Sequence, residues 1–212
     1  MLTLSPRLAT LLSPEHTEDA TALLRTYFAP RSEGGFTGAY FEHGIERDPD
    51  EFTADDLVAV SMLSVSIPGR AAIELLHNRR TELNALLRAV GPDRPLADLT
   101  EDEVGDGWAV RPLYRALLGI PGIGETRATK LLARKRPHLV PILDSVVSRE
   151  LGIVKGRYWQ PLHAWLVADD RAGHRRLEDL RAEAGLAPSV SALRVFDVLA
   201  WTVGRQAGSD TL

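Results

Sequence analysis

The sequence predicts an all-α protein. Three observations carry that expectation: apolar residues recur at helical spacing, capping signatures precede the apolar stripes, and glycine or proline ends them. With 212 residues, 44% of them hydrophobic, the chain can bury a core as one unit over residues 1–212, with room for two small lobes. Cysteine is absent, which excludes disulfides, Cys-ligated zinc, iron–sulfur clusters and thiolate catalysis. Apolar runs are too short to span a bilayer, and the first residues lack the charged-then-apolar pattern of a signal peptide. A cytoplasmic protein with no membrane partner is the expectation.

Ser13-Pro14 is an N-cap followed by a first-turn proline, and Ala20, Leu23, Leu24, Tyr27 and Phe28 then share one helical face. Residues 29–52, with Gly34, Gly35, Gly38 and Gly44, read as irregular. Thr53 to Asp56 reads as a capping box opening a helix through Leu57, Val60 and Leu63. Val58, Val60 and Met62 also alternate as a strand would; the cap decides for helix. Pro68 can start another helix, and Leu83, Leu86, Leu87 and Val90 form a clean stripe before an irregular stretch at 91–100. Thr100-Glu-Asp-Glu103 repeats the capping signature, and the stripe Val110, Leu113, Tyr114, Leu117, Leu118 stops at Gly119. Helices follow around 162–167 and 177–184, the second ending at Gly185. The last, 190–203, is apolar on most sides and so central. Its Arg194 and Asp197, three residues apart, are either a structural ion pair or part of a pocket.

The formal charge is −4, which argues against a protein that coats nucleic acid. Residues 111–160 nevertheless hold ten Lys and Arg against three Asp and Glu, leaving the rest of the chain acidic. A basic segment on an acidic body suits an anionic ligand met at one face, and equally a solvated helix surface.

The most specific stretch runs over residues 118–132. A helix ends, Gly119 to Gly124 makes a tight turn, and a second helix starts at about Gly124 with Ala128, Leu131 and Leu132 inward. Ile120 and Ile123 would plug the hairpin against the core. The unpaired amides of Gly122 to Thr126, at the positive end of the second helix, would hold a phosphate, with Arg127 and Lys130 adding charge. The glycines run G-x-x-G-x-G after a helix, which does not fit a Rossmann loop, and no Gly-Lys-Ser/Thr is present for a nucleotide-triphosphate loop.

Ile120-Pro-Gly-Ile-Gly124, with Ala128 behind it, resembles the Leu-Pro-Gly-Val-Gly hairpin of the helix-hairpin-helix DNA glycosylases. Val140-Pro-Ile-Leu-Asp144-Ser-Val-Val-Ser-Arg149 is similar to that superfamily's Val-Asp-Thr-His-Val-x-Arg, with Asp144 twenty residues after Gly124 as in the family. The resemblance covers about 117–151. It implies a helical glycosylase-like domain with the hairpin motif at about 112–134, an Asp-bearing helix at 144–151, duplex DNA as partner and Asp144 as the catalytic carboxylate. Thr126 stands where bifunctional members carry the lysine that attacks the sugar, so the resemblance is to a monofunctional glycosylase. Val146 replaces the family's histidine. No cofactor is implied beyond room for a monovalent cation at the hairpin. Phe36-Thr-Gly-Ala-Tyr-Phe41 resembles an uncharacterised actinobacterial family, which implies nothing about chemistry.

Cleaving an N-glycosidic bond builds positive charge on the sugar, and an ionised carboxylate beside it stabilises that charge or activates water. Asp144 at a helix start is placed for that role and equally for capping. An extruded base needs an aromatic pocket, and Trp108, Tyr114, Tyr158 and Trp159 flank the motif, with Phe36, Tyr40 and Phe41 in the glycine-rich loop. The six histidines show no metal-ligand spacing, and His138 can join the basic segment. Base excision by Asp144, non-catalytic DNA binding, and an interaction protein with a purely structural hairpin are the three readings.

Overall fold

Helices start in this chain where a polar side chain or a proline suits the first turn, and each then buries one stripe. The computed structural model describes residues 2–42, 48–153 and 158–209; Gly44, Lys155 and Arg157 lie outside the described residues. Among the latter there is no strand, and no helix is long and apolar enough to cross a membrane.

Ser5 accepts the Leu8 amide and Pro6 opens α1 (Pro6–Leu11), a helix too short to show as apolar periodicity. Pro14–His16 forms a 3₁₀ turn, so α2 (Thr17–Phe28) starts later than Ser13-Pro14 suggests; it buries Ala20, Leu24 and Tyr27. The capping box is present: the Thr53 amide donates to Asp56 Oδ2 at 2.8 Å and opens α3 (Ala54–Ser61). Val60 is buried and Val58 exposed, so the strand alternation is not realised. Pro68 precedes α4 (Gly69–Ile73), which passes through a wide π turn (Glu74–Asn78) into α5 (Arg80–Ala89). Thr100 and Glu103 exchange their box hydrogen bonds, yet only turns follow, because Gly105 and Gly107 interrupt before α6 (Val110–Leu118).

α7 (Glu125–Lys135) and α8 (Ser145–Glu150) carry the motif residues. α9 (Trp159–Glu183) contains both helices expected around 162–167 and 177–184, joined across non-helical residues 168–171. α10 (Ala192–Ser209) is central, packing on α2, α8 and α9, with Val195, Val198 and Leu199 fully buried. Gly204 permits the contact with α8: a Cβ there would stand 2.5 Å from Val146. Ser5 ties α1 to the same helix, its amide donating to the Glu150 carbonyl at 2.7 Å and its hydroxyl to the Glu150 carboxylate at 2.6 Å. A single cluster of buried apolar residues runs from Leu8 to Val203.

Four of the eight described cations of the basic segment are interior, so they cannot contribute to one cationic face, whereas Arg115 and Arg149 are exposed. Lys130, Arg134, Lys135 and Arg136 are all buried. The cause is packing of α7 against α3 and the neighbouring loops, whose carboxylates and carbonyls receive the cations. Asp56, fully buried, meets Lys135 Nζ at 2.5 Å and Arg134 Nε at 3.6 Å. Arg136 donates to Asp50 Oδ1 at 2.7 Å and to the carbonyls of Pro49, Leu87 and Gly91. Asp50 and Asp56 of the acidic body thus pair with Arg134, Lys135 and Arg136 internally.

Candidate active site

Between α6 and α7 the chain turns as the sequence suggests. Ile120 and Ile123 are buried, and the Ile123 amide donates to the Ile120 carbonyl at 2.9 Å. Gly122 sits at φ +96°, a conformation that L side chains resist, and a Cβ there would reach Pro68 Cγ at 3.2 Å. Pro121, Gly122 and Gly124 are exposed, and no side chain caps α7, so its first-turn amides face outward. Half-buried Arg127 donates from Nε to the Ser66 carbonyl at 2.7 Å, bracing the segment beneath the turn.

From α7 the chain returns through the buried residues 139–143 to Asp144. Thr129 fixes the register of that return, its hydroxyl accepting the Leu143 amide at 3.1 Å. Asp144 caps α8: Oδ1 accepts the amides of Val146 and Val147, each at 3.0 Å. The capping role is therefore real, and it uses one oxygen. The other, Oδ2, faces Lys130 Nζ at 3.9 Å.

Both groups line a cavity of about 300 Å³, at the small end of the range for small-molecule sites. Its aromatic wall is built from distant parts of the chain. Phe36 stacks on Tyr27 with ring centroids 5.2 Å apart and planes 10° apart, and both meet the edge of Trp201. Phe36 is 37% exposed, so part of its ring stands open at the rim. At the mouth Arg205 lies over the Trp201 ring at 4.9 Å. Ser64, at φ +60°, turns the chain so that the Leu63 carbonyl accepts from Lys130 Nζ at 2.9 Å.

Asp197 and Arg194 complete the wall, so the spacing noted on α10 is both an ion pair and part of a pocket. Arg194 bonds Asp197 Oδ2 through Nη1, Glu42 through Nε at 2.5 Å, and the Tyr27 hydroxyl and Gly38 carbonyl through Nη2, each at 2.9 Å. Burial pushes Asp197 up to about 6, Asp144 adds to the rise, and Arg194 and Lys130 oppose it. Burial lowers Lys130, which Asp144 partly offsets.

Residues 20–204 match a family of unknown function, DUF6308. The chain belongs to this family. The match takes in every cavity residue named above except Arg205. No curated protein and no solved structure matches the chain.

The aromatic residues expected around a base, Trp108, Tyr114, Tyr158 and Trp159, do not line this cavity. Trp108 and Tyr114 each pack edge-on against Trp159, and the Tyr114 hydroxyl donates to Glu125 at 3.0 Å. Tyr158 is buried behind the cavity, where desolvation first and then Asp197 and Asp144 raise its pKa. Thr126 does not line the cavity either, whereas Lys130, one turn further along α7, does. Lys130 is thus a cavity group and not a hairpin-surface charge. Tyr27, Phe36, Asp197 and Trp201 join Asp144 and Lys130 as functional candidates; the four-residue step from Asp197 to Trp201 is the sequence signal for one shared face. Among the described residues no group of three His, Asp or Glu gathers as a metal site.

Proposed function

We propose that this protein excises a base from duplex DNA, as a monofunctional glycosylase-like enzyme using Asp144. The observation that carries the reading is the position of Asp144 in an aromatic-walled cavity, with Oδ2 facing Lys130, at the start of α8, the second helix after a glycine hairpin. A planar heterocycle entering past Phe36 would lie against the Tyr27, Phe36 and Trp201 rings. Asp144 then faces the sugar, where its charge offsets the cation that develops as the glycosidic bond breaks. The hairpin amides of Gly122, Gly124 and Thr126 approach a phosphate, with Arg127 beside them, while the Ile123 amide is held by the Ile120 carbonyl and shapes the turn.

A second reading, DNA binding without chemistry, is favoured by the two amides that Asp144 already caps. One experiment separates the two. Duplexes carrying deaminated, oxidised or alkylated bases are incubated with the protein and scored for abasic sites. Excision of one class, abolished in Asp144→Asn, supports the enzyme; binding without excision of any class leaves the second reading.

A further inference from the structure

We propose that Asp197 is the proton donor of this cavity, its free oxygen protonating the ring nitrogen through which the base departs. The inference rests on the glycosidic reading of Asp144.

Asp197 is 5% exposed and lines the cavity. Arg194 fixes Oδ2, and Arg194 is itself immobilised by Glu42, Tyr27 and Gly38. Oδ1 takes no hydrogen bond among the described residues, although it is not one of the fully enclosed orphan atoms. A buried carboxyl with one oxygen clamped and the other open to a cavity is built to meet a ligand.

Two carboxyl groups share this small space, and their environments differ. Asp144 offers Oδ1 to two helix-start amides, an arrangement that suits a carboxylate. Asp197 has only the guanidinium of Arg194, which also binds Glu42. The other charged or titratable groups around Asp197 are Lys130 from α7, Tyr27 from α2, Tyr158 before α9, and Arg205 at the mouth. Burial and Asp144 outweigh Arg194 and Lys130, so Asp197 keeps its proton to about pH 6. The open, clamped carboxyl of Asp197 takes the acid role, and Asp144, facing Lys130, the charge-stabilising one.

The step balances. The C1′–N bond breaks with its electron pair going to the ring nitrogen, which takes the Asp197 proton. Water adds its oxygen to C1′ and gives up one proton, which restores Asp197 through solvent.

The test measures single-turnover excision against pH on the duplex found by the screen, and titrates the carboxyl carbons of the protein by ¹³C NMR. The wild type should lose about tenfold in rate per pH unit above the Asp197 midpoint. A carboxyl resonance should titrate with that same midpoint and vanish in Asp197→Asn. That variant should lose on the order of 10²–10⁴-fold in rate, with the alkaline limb gone. If Asp197→Asn does not fold, coincidence of the two wild-type midpoints carries the test. Absence of a carboxyl titrating above the ordinary range, or an unchanged pH profile in a folded Asp197→Asn, overturns the donor role and leaves Asp144 standing. Failure of the wild type to excise any base removes the glycosidic reading, and the donor role falls with it.

Discussion

Lys130 Nζ stands 3.9 Å from Asp144 Oδ2 and donates instead to the Leu63 carbonyl at 2.9 Å. At that separation the amine is a counter-charge to the carboxylate without being its hydrogen-bond partner. Lys130 is itself buried, so the two charges depend on each other in a weakly screened space. Asp144 consequently has three tasks: capping α8, balancing Lys130, and, in the proposed reaction, stabilising the sugar cation.

Asp144→Asn separates these tasks. Asn caps about as well as Asp, so α8 should persist. Excision should fall on the order of 10²–10⁴-fold while duplex binding holds or tightens. The folded state should weaken modestly, because Lys130 loses its counter-charge, and adding Lys130→Met should recover that loss. A thermal-melt double-mutant cycle reads the coupling, and strict additivity would show that the amine does not sense Asp144.

The two exposed hairpin glycines should behave differently. Gly122 at φ +96° cannot take a side chain without strain of about 1–2 kcal/mol, with Pro68 in the way as well. Gly122→Val should lower the melting temperature and weaken duplex binding together. Gly124 lies at φ −93° with open space beyond its Cα. Gly124→Ala should stay within about 1 kcal/mol of wild type in stability. Weaker binding by Gly124→Ala would then report a backbone that closely approaches the DNA; unchanged binding would place the phosphate elsewhere.

Charge changes on α7 should split by burial. Arg127→Ala should lower the salt slope of duplex binding by up to about one unit if Arg127 meets a phosphate. Lys130→Met should leave the slope unchanged, because the amine lies inside the cavity wall. A slope that falls in Lys130→Met would mean that DNA enters the cavity more deeply than one base.

What was legible in the sequence was local. The hairpin, the turn glycines, the box at Thr53 and the cap at Asp144 are each written within a few residues, and each forms as the chemistry dictates. The cavity was not local. Its rings come from Tyr27, Phe36 and Trp201, while the aromatics adjacent to the motif in sequence, Trp108, Tyr114 and Trp159, pack on one another. The basic segment misled for a related reason. Its neutralising partners, Asp50 and Asp56, lie far earlier in the chain, and composition does not reveal which cations a fold will bury.

Asp56 is the sharpest stability probe. It closes the Thr53 box and pairs with Lys135 in a fully buried setting, with Arg134 close by. Asp56→Ala removes the cap and leaves two buried cations facing a void. Breaking one partner of such a pair costs about 3–5 kcal/mol, so urea unfolding should show a loss of that order. A loss below about 1 kcal/mol would mean that the cluster is solvated in solution.

His138 should give the fold a shallow pH dependence of its own. Its Nδ1 lies 2.8 Å from Asp93 Oδ2 and its amide donates to Asp93 Oδ1 at 3.0 Å. The hydrogen bond to Asp93 raises the imidazole pKa, burial opposes the rise, and the Asp93 charge reinforces it. The folded state therefore holds this proton more tightly than the unfolded chain does. The stabilisation is fully present below the ordinary histidine value of 6.5 and is lost as pH rises through the raised folded value. The pair is partly exposed, so solvent screens it and the effect is small. Denaturant midpoints measured from pH 5.5 to 8.5 should fall across that window in the wild type and less so in His138→Gln, which retains a ring-sized polar donor but no titrating charge. Parallel curves for the two proteins would assign the pH dependence to other groups, with the Asp93 contact reduced to a neutral hydrogen bond.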